Sequence, residues 1–151
     1  MILSAQSIRR AGIFDPFHER TKAHGMTFGL GPAGYDVRIA EAITLYPHSC
    51  HLASTLEHFT MPNNILGKVA DKSTWARRFL AVQNTIIEPG WRGHLTLELS
   101  NHGSERLEIV AGAPIAQIIL HWLDQDTERP YAGRYQDQPM GAVAAILEPG
   151  A

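Results

Sequence analysis

Along this chain, apolar and polar residues alternate in short runs far more often than they recur at helical spacing. The clearest run is His94-Leu-Thr-Leu-Glu-Leu-Ser100. Leu95, Leu97 and Leu99 fall on one face of a strand, and His94, Thr96, Glu98 and Ser100 on the other. The same reading predicts strands at 35–39, 43–46, 50–55, 57–60, 65–70, 80–82, 85–88, 107–110, 115–122 and 142–146. Turn signals separate them: Pro47-His48, Pro62-Asn-Asn64, Pro89-Gly90, Asn101-His-Gly103 and Ala111-Gly-Ala-Pro114. Ser4 ahead of residues 5–10, with Gly12 behind them, predicts a short N-terminal helix. A second, internal helix is predicted over 73–78. Residues 15–34, rich in Gly, Pro and His, read as a long loop with at most a short strand at 26–28. The polar stretch from Asp124 to Gly141 reads as an arm that orders on a ligand or a neighbouring subunit. Many short strands with two short helices predict an all-β fold, a sandwich, jelly roll or distorted barrel. Residues 1–151 would form one domain, with about 124–151 as its C-terminal arm.

Composition narrows the class. With 44% hydrophobic and 19% charged residues the chain reads as globular rather than disordered. A formal net charge of −2 argues against a nucleic-acid backbone as partner. The single cysteine, Cys50, excludes an internal disulfide and suggests a reducing, cytoplasmic setting. No apolar run reaches the roughly 18 residues of a membrane span, and the N-terminus lacks the pattern of a signal peptide.

Candidate chemistry concentrates between Asp71 and Asn101. Lys72-Ser-Thr-Trp-Ala-Arg77 places cations and hydroxyls within a turn or two of chain, which suits phosphate oxygens but also an ordinary exposed helix start capped by Ser73. Glu98 reads either as a solvent-facing glutamate on a half-buried strand or as a general base held rigidly by that strand. The eight histidines invite a metal reading, with His48-Ser-Cys-His51 the densest group. On a strand, however, His48 and His51 face opposite sides. The H-x-E and P-C-x-x-C pattern of zinc deaminases is absent, so no protein-bound metal is expected. Nucleophile-elbow, P-loop and dinucleotide-binding motifs are also absent.

Taken together, several segments resemble the dCTP deaminase branch of the dUTPase superfamily. They are Met1-Ile-Leu-Ser4, Ala33-Gly-Tyr-Asp-Val-Arg38, Leu52-Ala-Ser-Thr-Leu-Glu57, Lys72-Ser-Thr-Trp-Ala-Arg77, Glu88-Pro-Gly-Trp-Arg-Gly-His-Leu-Thr-Leu-Glu98, Ile115-Ala-Gln-Ile-Ile119, Pro130-Tyr131, Arg134-Tyr135, Gln138 and Gly141-Ala-Val143. The resemblance implies a dUTPase-like distorted barrel or jelly roll and a homotrimer with sites between subunits. It also implies zinc-independent deamination of dCTP, or of a modified dCTP or dCMP. By motif position Glu98 matches the general base, while Ser73 and Arg77 match residues that reach in from a neighbouring subunit. Lys72, Ser73 and Thr74 match the phosphate-contacting run, with lysine where arginine is usual. Glu88, Thr96 and Leu97 fall among the nucleotide-binding positions. Tyr131, Arg134 and Gln138 match the arm that closes on the triphosphate, on which Mg²⁺ would ride.

dUTPases share part of this pattern, but they carry an apolar residue where Glu98 stands and end in a Gly-rich tail. Glu88 replaces the usual aspartate, and the segment 82–87 is shorter than the family's base-reading hairpin. Two function classes follow. One is a nucleotide hydrolase: a deaminase, a dUTP diphosphatase or both, the last giving dUMP. The other is a non-catalytic, nucleotide-binding regulatory trimer. Glu98, Ser73 and Arg77 occurring together favour the first.

Overall fold

Alternation builds the sheets and leaves little room for helix. The computed structural model describes residues 1–147. Helix α1 (Ala5–Ala11) is followed by β1 (Phe14–Asp15), β2 (Thr21–Ala23), β3 (Met26–Leu30), β4 (Tyr35–Arg38), β5 (Ile43–Leu45), β6 (Cys50–Thr60) and β7 (Ile65–Asp71). Then come helix α2 (Ser73–Ala76), β8 (Leu80–Val82), β9 (Ile86–Ile87), β10 (Arg92–Asn101), β11 (Leu107–Ile109) and β12 (Pro114–Trp122). One sheet runs β1-β6-β10-β8, a larger one β2-β3-β4-β12-β7-β9, and β11 pairs with β5. All these pairings are antiparallel. The result is the expected all-β architecture, curled sheets enclosing one core.

The strands that set the core obey period two where one face meets water. In β4, Tyr35 and Val37 are fully buried while Asp36 and Arg38 lie half-buried on the other face. The central β12 buries Ile115, Ala116, Ile118 and Leu120, as a strand flanked by β4 and β7 must. Each buried Ile or Leu side chain contributes about 1.5–3 kcal/mol by leaving water. Phe14 stacks on Tyr35 with ring centroids 4.0 Å apart. The Tyr35 hydroxyl accepts the His18 N–H at 2.9 Å, and burial pushes its pKa up to about 12. This phenol is therefore a neutral structural partner at every physiological pH.

Most polar groups that face the core are paired; the exception among the described residues is Arg38 Nη2, buried without a hydrogen-bond partner. Glu57 is fully buried; one carboxylate oxygen accepts from Arg38 Nε and the other from the Arg38 N–H, each at 2.8 Å. The Arg38 guanidinium lies 4.5 Å over the Phe28 ring. Glu41 accepts both the N–H and the hydroxyl of Ser54, at 2.8 and 2.7 Å. Helix α2 is anchored at Trp75, whose Nε1 donates to the Pro114 carbonyl at 2.7 Å.

Several sequence expectations need correction. Residues 15–34 are not one loop: β2 and β3 form a hairpin in which Ala23 pairs with Met26. Its two-residue turn, His24-Gly25, has φ of 50° and 75°, the left-handed pair such hairpins need. The exposed Thr21–Ala23 segment shows no apolar alternation, so its strand was invisible. The expected strands 50–55 and 57–60 are one strand, β6, with a register shift opposite Leu95. Residues 142–146 form no strand. Gly141 N–H donates instead to Ser54 Oγ and Val143 N–H to Thr96 Oγ1, so side-chain hydroxyls replace a ladder. Ser4 precedes α1 as expected but makes no side-chain cap, and the residue ahead of α2 is Lys72 rather than Ser73.

Candidate active site

A cleft of about 550 Å³ opens against the outer face of β10, and its walls come from five pieces of chain, among them Leu52 of β6. Strand β10 supplies Leu95, Thr96 and Glu98. The segment leading from β8 into β9 supplies Asn84 and Ile86, and the following turn supplies Glu88 and Trp91. The C-terminal arm supplies Tyr131, Tyr135, Gln138 and Val143. Glu98 is exposed and belongs to a strand whose neighbours Leu97 and Leu99 are buried at 0% and 1% exposure. Its carboxylate thus projects from a rigid backbone into open space. Leu95 departs from strict alternation: the register shift leaves it half-buried beside Thr96 on the cleft wall.

The arm is seated on the turn Pro89-Gly-Trp-Arg-Gly93. Tyr131 N–H donates to the Pro89 carbonyl, Gln136 Nε2 to the Gly90 carbonyl, and Trp91 Nε1 to the Tyr135 carbonyl, at 2.8, 2.9 and 2.7 Å. Asp137 N–H donates to the Arg92 carbonyl, and the Asp137 carboxylate pairs with the Arg92 guanidinium. Gly93 then bridges Gln138 as a parallel pair, and His94 N–H donates to the Gln138 carbonyl at 3.0 Å. A Cβ at Gly93 would lie 2.6 Å from the Gln138 nitrogen, and one at Gly90 2.6 Å from Pro130 Cβ. Both glycines are therefore dictated by how closely the arm approaches. Where the sequence predicted an arm ordered by a ligand or neighbour, the structure orders it on its own body.

Among the described residues, the cleft lining carries the carboxylates of Glu88 and Glu98 and no lysine or arginine. Ser73, Thr74 and Arg77 are exposed around α2 and lie outside this lining. Lys72 is 8% exposed, and its Nζ donates to Asp36 Oδ2 at 2.6 Å. That ion pair commits the ammonium within the chain, unlike the free phosphate contact that its motif position implied. Leu97 lies outside the lining, its side chain in the core. Tyr131 and Gln138 face the cleft, whereas Arg134 lies outside the lining and donates to the Ile146 carbonyl. Asn84, Trp91, Leu95 and Tyr135 also line the cleft, although none is among the candidate site residues of the sequence; Trp91 and Leu95 lie in the Glu88–Glu98 segment, Tyr135 beside Arg134, and Asn84 in the shortened segment 82–87.

His58 and His94 pair across β6 and β10 beneath the arm, ring centroids 5.3 Å apart. Burial, then the neighbouring His94, holds His58 below the usual histidine range. Among the described residues no group of three or more His, Cys, Asp or Glu converges as a metal cage. His48 sits in a left-handed turn and Cys50 is exposed. Among the same residues no helix is long and apolar enough to cross a membrane.

A family model described as dCTP deaminase-like matches residues 35–123. The dCTP deaminase of Campylobacter hominis is 32% identical over 176 residues, spanning 95% of this chain and 92% of that protein. That of Granulibacter bethesdensis is also 32% identical, spanning 84% and 87%. This chain belongs to the dCTP deaminase-like family. Solved dUTPases share the fold. The native EIAV enzyme superposes with a TM-score of 0.60 at 20% identity, over 81% of this chain and 97% of its own. A mutant dUTPase from phage phi11 of S. aureus, described with a structural Mg(II) ion, gives 0.58 at 16% identity, over 78% and 91%. Homology and fold together support nucleotide deamination or dUTPase-like chemistry.

Proposed function

We propose that this chain hydrolytically deaminates a cytosine deoxynucleotide, dCTP first, with Glu98 as general base and without zinc. The observation that carries the reading is the exposed Glu98 carboxylate, aimed into the cleft from a strand whose next residues are locked in the core. Glu98 takes a proton from water as the water oxygen bonds to C4 of the base. The proton passes on to the departing amine, the C4–N bond breaks, and ammonia and the uracil nucleotide result.

The exposed Ser73 and Arg77, which the cleft of one chain lacks, supply the water- and base-holding groups from a neighbouring copy in a homotrimer. Ser73 and Thr74 contact phosphate there, and Tyr131, Arg134 and Gln138 of the arm close over the triphosphate. A lining with Glu88 and Glu98 but no cage fits Mg²⁺ that keeps its waters and rides on the phosphates. Bound so, it would offset the triphosphate charge beside those carboxylates.

A second reading is dUTP diphosphatase activity, alone or following deamination to give dUMP. It is favoured by Glu88, which lines the same cleft at the position where the resembling enzymes keep an acid near the sugar and the attacking water. Incubation with dCTP, dCMP, dUTP and a 5-substituted dCTP, read for ammonia and for diphosphate, separates the two. Ammonia from dCTP is the expected result. Diphosphate from dUTP without any ammonia selects the second reading, and release of neither defeats both.

A further inference from the structure

Asn84 stands where strand pairing along β10 gives out. Leu99 pairs with Val82, and the Gln83 N–H donates to the Glu98 carbonyl at 2.8 Å. Strand β8 ends at Val82, and the chain then turns away toward β9. Beyond that point the Asn84 side chain takes over. Its Nδ2 donates to the Thr96 carbonyl at 2.6 Å, and its Oδ1 accepts the Glu98 N–H at 3.0 Å. An antiparallel strand continuing in register would have met the same two backbone groups from its own main chain. One side-chain amide thus replaces the missing strand residues. Its orientation follows from its partners, because the flipped amide would set donor against donor and acceptor against acceptor.

The consequence falls on Glu98. One edge of the Thr96–Glu98 backbone is held by β6, where Leu97 lies opposite Ala53. Among the described residues, the other edge has only the Asn84 amide and the single Gln83 bond. The Leu97 side chain is locked in the core between them. Pinned on both edges, the backbone leaves the Glu98 side chain little choice but the cleft, which Asn84 also lines. We infer that Asn84 is a positioning residue for Glu98: it fixes the strand that carries the carboxylate, in place of a paired strand that this chain lacks. The inference rests on the reading of Glu98 as general base.

A double-variant cycle on the full-length chain, measured as dCTP turnover, tests it. Asn84→Ala should lower kcat on the order of 10²-fold, the usual cost of a reacting group displaced by about 1 Å, and change KM far less. Combined with Glu98→Gln it should add almost nothing, because positioning has no value once the base is gone. An Asn84→Ala kcat near wild type, or full additivity in the double variant, overturns the role. Residue-resolved amide exchange on the unliganded protein gives a readout independent of turnover. The Glu98 N–H should exchange at least about tenfold faster in Asn84→Ala, the neighbouring Leu97 N–H unchanged. Equal Glu98 exchange in the two proteins overturns it as well.

Should Asn84→Ala fail to fold, Asn84→Asp keeps the shape and the acceptor. It keeps the bond to the Glu98 N–H but sets an oxygen against the Thr96 carbonyl, so kcat should fall while KM changes far less. A kcat at the wild-type value counts against the role. The two readings fail distinguishably. Wild-type turnover by Glu98→Gln alone removes the general base and this role together, whereas an inert Glu98→Gln beside an unimpaired Asn84→Ala removes only the role of Asn84.

Discussion

Helix α2 and strand β10 belong to one sequence motif, yet the fold treats them in opposite ways. Strand β10 turns Thr96 and Glu98 into a cleft walled by its own chain. Helix α2 is held just as firmly, by Trp75 in the core and Lys72 on Asp36, but it presents Ser73, Thr74 and Arg77 outward. Burial of Trp75 and the Lys72–Asp36 pair account for the anchoring. The outward face is what the proposed site in a second copy would use. Nearness in sequence therefore does not imply a shared cleft within one chain, and the difference between the two segments can be attacked from either side.

The largest expected effect comes from β10. Glu98→Gln should lower kcat by about 10²–10⁴-fold, the usual range for loss of a general base. Because Glu98 is exposed, its melting temperature should stay at the wild-type value. Turnover within a few-fold of wild type would end the assignment.

On the α2 side, Arg77→Ala should also be inactive, and mixing is the sharper measurement. After subunit exchange between equal amounts of Glu98→Gln and Arg77→Ala protein, a site drawing the two residues from different chains is intact in about a quarter of cases. About a quarter of wild-type activity should then return. No recovery, with exchange verified by mass, would place both residues in one chain's site.

Lys72 marks where the two roles meet. The Lys72 and Asp36 side chains are 9% and 16% exposed, so Lys72→Met leaves a nearly buried carboxylate unpaired. Removing one partner of such a pair typically costs about 3–5 kcal/mol. The variant should melt well below wild type yet keep its KM for nucleotide at a temperature where it is folded. A raised KM with unchanged melting would return Lys72 to the phosphate-contacting set.

What was legible follows the same division. The strands at 35–38, 43–45, 65–71 and 115–122 were readable because each buries alternate or continuous apolar residues. Glu98 stood out because its neighbours Leu97 and Leu99 announce a core face. The hairpin from Thr21 to Leu30 was not readable, since its outer strand buries nothing and its turn begins with histidine. Asn84 was missed for a different reason. Its two hydrogen bonds depend on where β8 stops relative to β10, which no local pattern encodes. The arm's seat was half visible: Gly90 reads as a turn residue, but the reason for both Gly90 and Gly93 is contact with residues about 40 positions further along the chain.

That seat gives a smaller effect than the three above. Gly93→Ala brings a methyl within 2.6 Å of the Gln138 nitrogen at a backbone φ of 141°. Strain of about 1–3 kcal/mol should fall on the arm, which yields before the core-backed strand does. Faster tryptic cleavage after Arg134, with a raised KM and nearly unchanged melting, is the expected pattern. Cleavage at the wild-type rate would mean that the arm is held elsewhere.

The smallest expected effect is the dependence of arm and fold on acid, through His58. Burial lowers its pKa most, His94 lowers it further, and Arg92 adds a little in the same direction; Asp15 and Asp137 oppose them without reversing the sign. A histidine held low in the fold takes up its proton more readily when unfolded. Between the depressed folded value and the ordinary value of about 6.5, the unfolded chain therefore carries more protons, and stability rises with pH. The contribution is complete above about pH 6.5 and is lost as pH falls through the folded value. The wild-type melting temperature should thus drop between pH 7.5 and 5.5, and His58→Gln should drop less, all other histidines being common to both. His58 lies against His94, whose N–H holds the Gln138 carbonyl, so the same acid step should speed tryptic release of the arm in wild type more than in the variant. Identical acid slopes for the two proteins would show that the histidine pair bears no charge cost, and that Asp15 and Asp137 compensate it in full.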